Sequence, residues 1–288
     1  MAHPLHAYLA LLDDLRAAGF RCHPIRDYFT GNQAGQGAAS AGEDSDTRRA
    51  YLRHDVDRLP ARAVAMAEAE AARGIHSTYY FRCDARGRFP EAAMRRIAAL
   101  GHETGFHYEC LSRTRGDRVA AVECFARELA ACRAIVPVTT VSPHGAPLAA
   151  SSNMDFTASI DAQALGLLGD ATDMDFTDML YVTDTGGTFG SQYNLRDHVA
   201  GRNLDHPIAP KGLARRLIDG DERRIVLSCH PERWAVGRLA LLEASAREIA
   251  LNLLKLVLHR ARRWFSPALN RSPSRVNGAH RRPFPKYS

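Results

Sequence analysis

Four short motifs hold the residues able to do chemistry, and each follows an apolar run. Arg53-His54-Asp55-Val56-Asp57 closes a run containing Ala50 and Leu52, and Gly105-Phe106-His107-Tyr108-Glu109 comes after Leu100-Gly101. Ser142-Pro143-His144-Gly145 succeeds Val138 to Val141, and Cys229-His230-Pro231-Glu232 succeeds Ile225 to Leu227. Carboxylates and imidazoles are ligands for zinc-like cations and are the groups that exchange protons in general acid–base catalysis. In a barrel or an open α/β sheet, strand ends converge on one face, where ligands and metals bind. The pattern predicts one polar cluster with metal-ligand chemistry. Asp55 and Asp57 have a plainer use as caps of a helix beginning near Pro60, but His54 and the other strand ends favour the functional reading.

The elements that must position these motifs alternate. A helix from about Pro4 to Ala18 is ended by Gly19, a short segment reaches Tyr28, and Gly31 to Asp46, rich in Gly, Ser, Ala and Gln, reads as a loop. The Ala-rich stretch from Pro60 to Arg73 is helical and stops at Gly74, and His76 to Arg82 has the β-branched and aromatic content of a buried strand. Pro90 opens a helix through Met94, Ile97 and Leu100, with Gly101 as its stop. Asp117 to Ile135 follows as a helix with Val119, Val122, Phe125 and Leu129 on an apolar face, and Cys124 and Cys132 also read as buried. Val138 to Val141, Met179 to Thr183 and Ile225 to Leu227 are strands, the second ending at Asp184-Thr185-Gly186-Gly187. Residues 146–178 are less regular. Val236 to Phe265 is a long helix whose Leu239, Leu242, Ile249, Leu253, Leu256 and Val257 are most simply packed against the sheet. Successive β-α units with right-handed crossovers build a parallel sheet that closes into a full or incomplete barrel.

The net charge of +6 is unevenly spread. From Arg260 onward there are eight basic residues and no acidic ones, which leaves −2 on the rest of the chain. That tail also carries Pro267, Pro273, Pro283 and Pro285, a composition expected to be disordered. A weak contact with membrane phosphate or another anionic surface is its plausible partner role, and no specific nucleic acid is expected. Asp13, Asp14 and Arg16 interrupt the amino-terminal segment, so neither a signal peptide nor a transmembrane helix is indicated and a cytoplasmic location is expected. Six cysteines without a C-x-x-C pair fit reduced thiols. The absence of a composition break favours one large α/β domain. Its division reads as 1–48 for the opening helix and loop, 49–265 for the barrel and 266–288 for the basic tail.

Taken in order, Leu52-Arg53-His54-Asp55-Val56-Asp57, Gly74-Ile75, Thr78-Tyr79-Tyr80-Phe81-Arg82 and Gly101-His102-Glu103-Thr104-Gly105-Phe106-His107 resemble the polysaccharide deacetylase superfamily (carbohydrate esterase family four). The likeness is greatest to the divergent branch whose first motif reads H-D-V-D. It continues through Ser142-Pro143-His144-Gly145, Tyr181-Val182-Thr183-Asp184 and His230-Pro231-Glu232-Arg233-Trp234, and so covers most of residues 50 to 255.

The resemblance implies a distorted (β/α) barrel of about seven parallel strands. It also implies a divalent metal, most simply zinc, and hydrolysis of an N-acetyl group from a sugar or polysaccharide precursor. Asp55 falls on the family's general base, Asp57 and His107 on metal ligands, and His230 on the acid that protonates the departing amine, with Asp184 as its partner. The second histidine of the family's H-x-x-x-H motif is replaced by Leu111. Glu109 or His144 is left to fill that place. Arg196 and Trp234 are candidate substrate-binding residues, and Asp197, Arg202 and Asn203 are further polar groups near them in sequence. Two other readings stay open: a metal-independent C–N hydrolase on the same fold, and a catalytically silent relative that binds glycan or protein.

Overall fold

The structure, a computed structural model, describes residues 2–35, 47–147, 149–237, 239–246 and 249–250. In chain order the elements are β1 (His3–Pro4), α1 (Leu5–Ala17), β2 (Phe20–Pro24), α2 (Ile25–Gly35), β3 (Arg48–Val56) and α3 (Pro60–Ala71). Next come β4 (Thr78–Phe81), α4 (Glu91–Ala99), β5 (Glu103–Tyr108), α5 (Cys110–Arg113), α6 (Arg118–Arg133) and β6 (Thr140–Pro143). The last are β7 (Gly169–Asp170), β8 (Phe176–Thr183), β9 (Gly201–Asn203), α7 (Pro210–Asp219), β10 (Arg224–Cys229) and β11 (Trp234–Ala235).

β3 organises the sheet because it is long and, from Ala50 onward, buried on both faces. Its first half, Arg48 to Leu52, pairs with β2, its second half, Arg53 to Val56, pairs with β4, and β10 runs beside Arg49 to His54. Nine strands, all parallel, follow the order β7-β6-β5-β4-β3-β10-β8-β9, with β2 beside β3. The path has two ends, so the curled sheet is an open half-barrel. This is the distorted (β/α) barrel the motifs implied, with more strands than the seven expected. The additions are β2 and the short β7 and β9, too brief to show an alternating pattern.

Alternation of side chains along each strand divides the core in two. Leu52, Val56, Tyr79, Phe81, Phe106, Ile225 and Leu227 face outward and pack against Leu12, Met66, Ile97, Phe125 and Leu217 of the helices. Tyr51, Tyr80, Tyr181 and Val226 face inward with Ile25 and Tyr28. Each large side chain so buried contributes about 1.5–3 kcal/mol. The inner face also needs a close approach at Gly105, where a Cβ would come within 2.4 Å of the Tyr80 ring. That ring crosses Gly105 to bring its hydroxyl 2.8 Å from Thr140 Oγ1.

Three expectations need correction. α2 continues to Gly35 through the start of the expected Gly31 to Asp46 loop, whose remainder lies outside the described residues. On α6, Val119 and Val122 are exposed, and the buried stripe is Ala121, Cys124, Phe125, Glu128, Leu129 and Cys132. The helix is thus turned toward its cysteines, with the two valines near its start facing solvent. In the closing segment, 239–246 and 249–250 are helical, but Leu239 is 84% exposed and Leu242 and Ile249 are exposed with it. Among the described residues these three do not pack on the barrel. Leu253, Leu256, Val257 and the basic tail lie outside the described residues. The six cysteines are free thiols.

Candidate metal centre

Asp55 and Asp57 sit two residues apart where β3 ends, so both point to the concave face. Arg53, one step earlier on the same face, grips Asp55 with both arms of its guanidinium: Nε donates to Oδ1 at 2.9 Å and Nη2 to Oδ2 at 2.8 Å. Burial pushes the Asp55 carboxyl up, but Arg53 and His107 overcome it and leave the pKa at about 2. Leu59, in the left-handed region at φ 51°, turns the chain into α3 as its N-cap, without a side-chain capping bond. Neither carboxylate is therefore used as a helix cap.

His107 is delivered by β5 and is buried. Its Nδ1 lies 3.1 Å from the Ser142 carbonyl, which can only accept, so the proton sits on Nδ1 and Nε2 presents a free lone pair. That Nε2 is 3.5 Å from Asp57 Oδ1 and 3.7 Å from Asp55 Oδ2. His144 follows β6, its backbone N–H donating to the Tyr108 carbonyl at 2.8 Å and its carbonyl accepting from Asn153 Nδ2 at 2.7 Å. Its Nε2 lies 3.5 Å from Asp57 Oδ2, with Arg82 Nη1 at 3.4 Å from the same nitrogen. Burial lowers the His144 pKa, but Asp57 and Glu109 outweigh it and raise it to about 9. His107 moves the other way, to about 4, because burial exceeds the pull of Asp55 and Asp57.

The donor atoms of Asp57, His107 and His144 all lie within 4.8 Å of one another. Zinc–nitrogen and zinc–oxygen bonds of about 2.0–2.2 Å at tetrahedral angles require nitrogen–oxygen edges of about 3.4 Å, and the Asp57 carboxylate offers one oxygen to each imidazole near that separation, Oδ1 to His107 and Oδ2 to His144, each at 3.5 Å. Asp57 Oδ1 is also buried without a hydrogen-bond partner. A cation between these three groups would satisfy it, so the residues fit such an ion.

Glu109 stands behind His144, its Oε2 3.0 Å from Nδ1, away from the converging Nε2. Arg82 Nη2 at 2.9 Å and Arg113 Nε at 2.8 Å donate to Glu109 Oε1. Opposite the three-residue cluster, His230 Nδ1 lies 2.7 Å from Asp184 Oδ1. Asp184 also accepts from Arg233 Nη1 at 3.0 Å and from Trp234 Nε1 at 2.8 Å. Burial and Arg233 pull the His230 pKa down, yet Asp184 and Asp57 raise it to about 9.

Asp55, Asp57, His107, His144 and His230 line one cavity of about 230 Å³. Arg196 also lines it, but its guanidinium donates to the carbonyls of Ala146 and Ala149 and so braces a loop of the rim. Asp197 borders the cavity, tied to Tyr181, Thr183 and Thr185. Trp234 is buried, and its indole N–H is taken by Asp184, so it offers no surface to a sugar. Arg202 pairs with Glu222, and Asn203 bonds the backbone of Val199. Arg53 and Arg82 are cavity residues the sequence reading missed. Arg53 was findable from its two-residue spacing to Asp55, and Arg82 from its place just past β4.

No protein-family model matches the chain, and no curated protein matches it. Among solved structures, a Streptococcus mutans CE4 esterase is similar at 13% identity and TM-score 0.42, over 82% of this chain and 86% of that one. A mutant CE4 family pseudoenzyme with restored enzymatic activity is similar at 14% identity and TM-score 0.38, over 74% of this chain and 65% of that one.

Proposed function

We propose that the protein is a metal-dependent hydrolase that removes an N-acetyl group from a sugar. One observation carries this reading: the convergence of Asp57, His107 and His144 donor atoms in a cavity that also holds Asp55 and His230. A divalent cation at that convergence would lower the pKa of a water and polarise the amide carbonyl. Asp55, ionised and immobilised by Arg53, accepts a hydrogen bond from the attacking water and aims it at the carbonyl carbon. A carboxyl held near 2 is a weak proton acceptor, so orienting the water is its larger part, and the proton that water gives up passes to solvent. His230 stays protonated through neutral pH and donates from Nε2 to the departing amine nitrogen as the C–N bond breaks. Asp184 keeps the opposite nitrogen, Nδ1, fixed as donor. The products are acetate and the free amino sugar. The cavity is smaller than the roughly 300–1,000 Å³ that encloses drug-sized ligands, which suits one acetamido sugar ring rather than a long glycan segment.

The test is metal content by elemental analysis, together with acetate release from N-acetylglucosamine and its short oligomers, for the native protein and His144→Ala. About one divalent ion per chain and acetate release, both lost in the variant, is the expected result. No bound metal and no acetate after loading with zinc, cobalt or manganese would refute the reading.

A further inference from the structure

A second group of metal-ligating side chains lies under the sheet, apart from the cavity. Cys124 and Glu128 are one helical turn apart on the buried face of α6, and Cys110 opens α5, which packs against it. The two thiols and the carboxylate place one donor atom each within 4.8 Å of the others, and all three residues are buried. Cys124 Sγ is 3.3 Å from Glu128 Oε1, and Cys110 Sγ is 3.8 Å from Oε2. With metal–sulfur and metal–oxygen bonds of about 2.3 and 2.0 Å, a tetrahedral site has a sulfur–oxygen edge of about 3.5 Å. The two separations, one to each oxygen of the Glu128 carboxylate, lie on either side of that value.

Charge favours the same conclusion. Arg113 Nη1 donates to Glu128 Oε1 at 3.1 Å. Two thiolates, one carboxylate, one guanidinium and one divalent cation sum to zero, so a loaded site buries no net charge, which removes the main cost of placing ions in a core. Cys83 borders the same carboxylate: its carbonyl is held by Arg113 Nη2 at 2.9 Å, and burial with the Glu128 charge pushes its thiol up to about 12.

We propose that Cys110, Cys124 and Glu128 form a structural site for a thiophilic divalent cation such as zinc, independent of the cavity centre. On binding, two S–metal bonds form and two thiol protons pass to solvent, with no change of oxidation state. Burial and sulfur donors are features of structural zinc, which takes four ligands, so these three side chains leave one position for a further donor. Arg113 joins this site to the cavity, since the same guanidinium holds Glu109 behind His144.

The experiment uses the full chain carrying Asp57→Ala, which removes a donor from the cavity cluster. Cobalt(II) is titrated into the reduced, metal-free protein, and thiolate-to-cobalt charge-transfer absorption is followed in the near ultraviolet. The expected result is a band saturating at about one equivalent that Cys124→Ser abolishes. If Cys124→Ser fails to fold, thiol counting decides: zinc added to Asp57→Ala should release about two protons and shield two of the six cysteines from a thiol reagent. Absence of the band, together with unchanged thiol reactivity and no proton release, would overturn the proposal and leave the two thiols as hydrogen-bond donors to Glu128. Neither result depends on acetate release, so the outcome is separate from that of the hydrolase reading.

Discussion

Two carboxylates, Glu70 buried and Asp57 half-buried, lie on opposite faces of the central strand and have opposite surroundings. Glu70, on α3, reaches the outer face of β3, where its oxygens accept from Tyr8, from Ser77 Oγ at 2.6 Å and from Tyr79 at 2.8 Å, and lie 2.9 Å from His54 Nε2. Burial pushes its carboxyl up, but His54 and the hydroxyls bring it to about 2. Asp57, at the end of the same strand on the inner face, meets two imidazoles at 3.5 Å and leaves Oδ1 without a partner. One carboxylate is saturated from within the chain. The other is short of donors at the point where a cavity opens, as expected of a group that waits for something outside the chain. The outer network has an orphan of its own, His54 Nδ1, but no cavity reaches it among those described.

If this distinction is right, the two residues fail differently. Asp57→Ala should abolish metal uptake at the cavity and lower kcat/KM for acetate release about 10³-fold or more, since a metal supplies several kcal/mol at about 1.36 kcal/mol per tenfold. Its unfolding free energy, without metal and near neutral pH, should fall by about 1–2 kcal/mol, the part of the His144 charge that Asp57 supports, because no completed network is broken. Glu70→Ala should cost about 3–5 kcal/mol in denaturant unfolding, the usual loss when one partner of a buried pair is removed. Its activity per folded molecule should stay within about tenfold of native. Equal stability losses in the two variants would erase the comparison.

A smaller perturbation sharpens it. Glu109→Gln keeps the shape behind His144 and removes the charge that faces Nδ1. Partners behind a ligating histidine typically contribute about 10–100-fold to metal affinity, and a loss of that size is expected by competition with a chelator.

Much of this contrast was legible in the chain before folding, and some was not. Asp55, Asp57, His107, His144 and His230 could be singled out because alternation and strand ends mark them locally. Choosing between Glu109 and His144 as the neighbour of Asp57 could not be done locally. It depends on β6 lying beside β5 in the register that pairs His107 with Ser142, which brings His144 next to His107. Glu70 was illegible for a related reason: in an Ala-rich helix it looks like any solvated carboxylate, and only the packing of α3 against Tyr8 and His54 buries it. On α6 the cysteines were read as buried and are, but the apolar pattern misled at Val119 and Val122, which are exposed while the charged Glu128 is taken into the core.

Protons give the finest test of the inner cluster. At neutral pH Asp57 is ionised, since the charge of His144 holds its carboxyl well below the usual range in spite of burial, and His107, lowered to about 4, is neutral. His144 alone still carries a proton, with its pKa raised to about 9. A cation must displace that proton, so metal affinity should rise about tenfold per pH unit between about pH 6 and 8 and level off as pH passes about 9. Stability of the metal-free protein should run the opposite way. A histidine whose folded pKa lies above its unfolded 6.5 contributes fully below that value and ceases to contribute as pH rises through about 9, and His230 adds to His144 in the same window. Isothermal titration with zinc across this range, alongside denaturant unfolding without metal, measures both slopes. A flat affinity profile would mean that His144 is already neutral and that Asp57 does not hold it as the geometry implies. A slope of two protons would mean that His107 is charged as well, which its contact with the Ser142 carbonyl does not require.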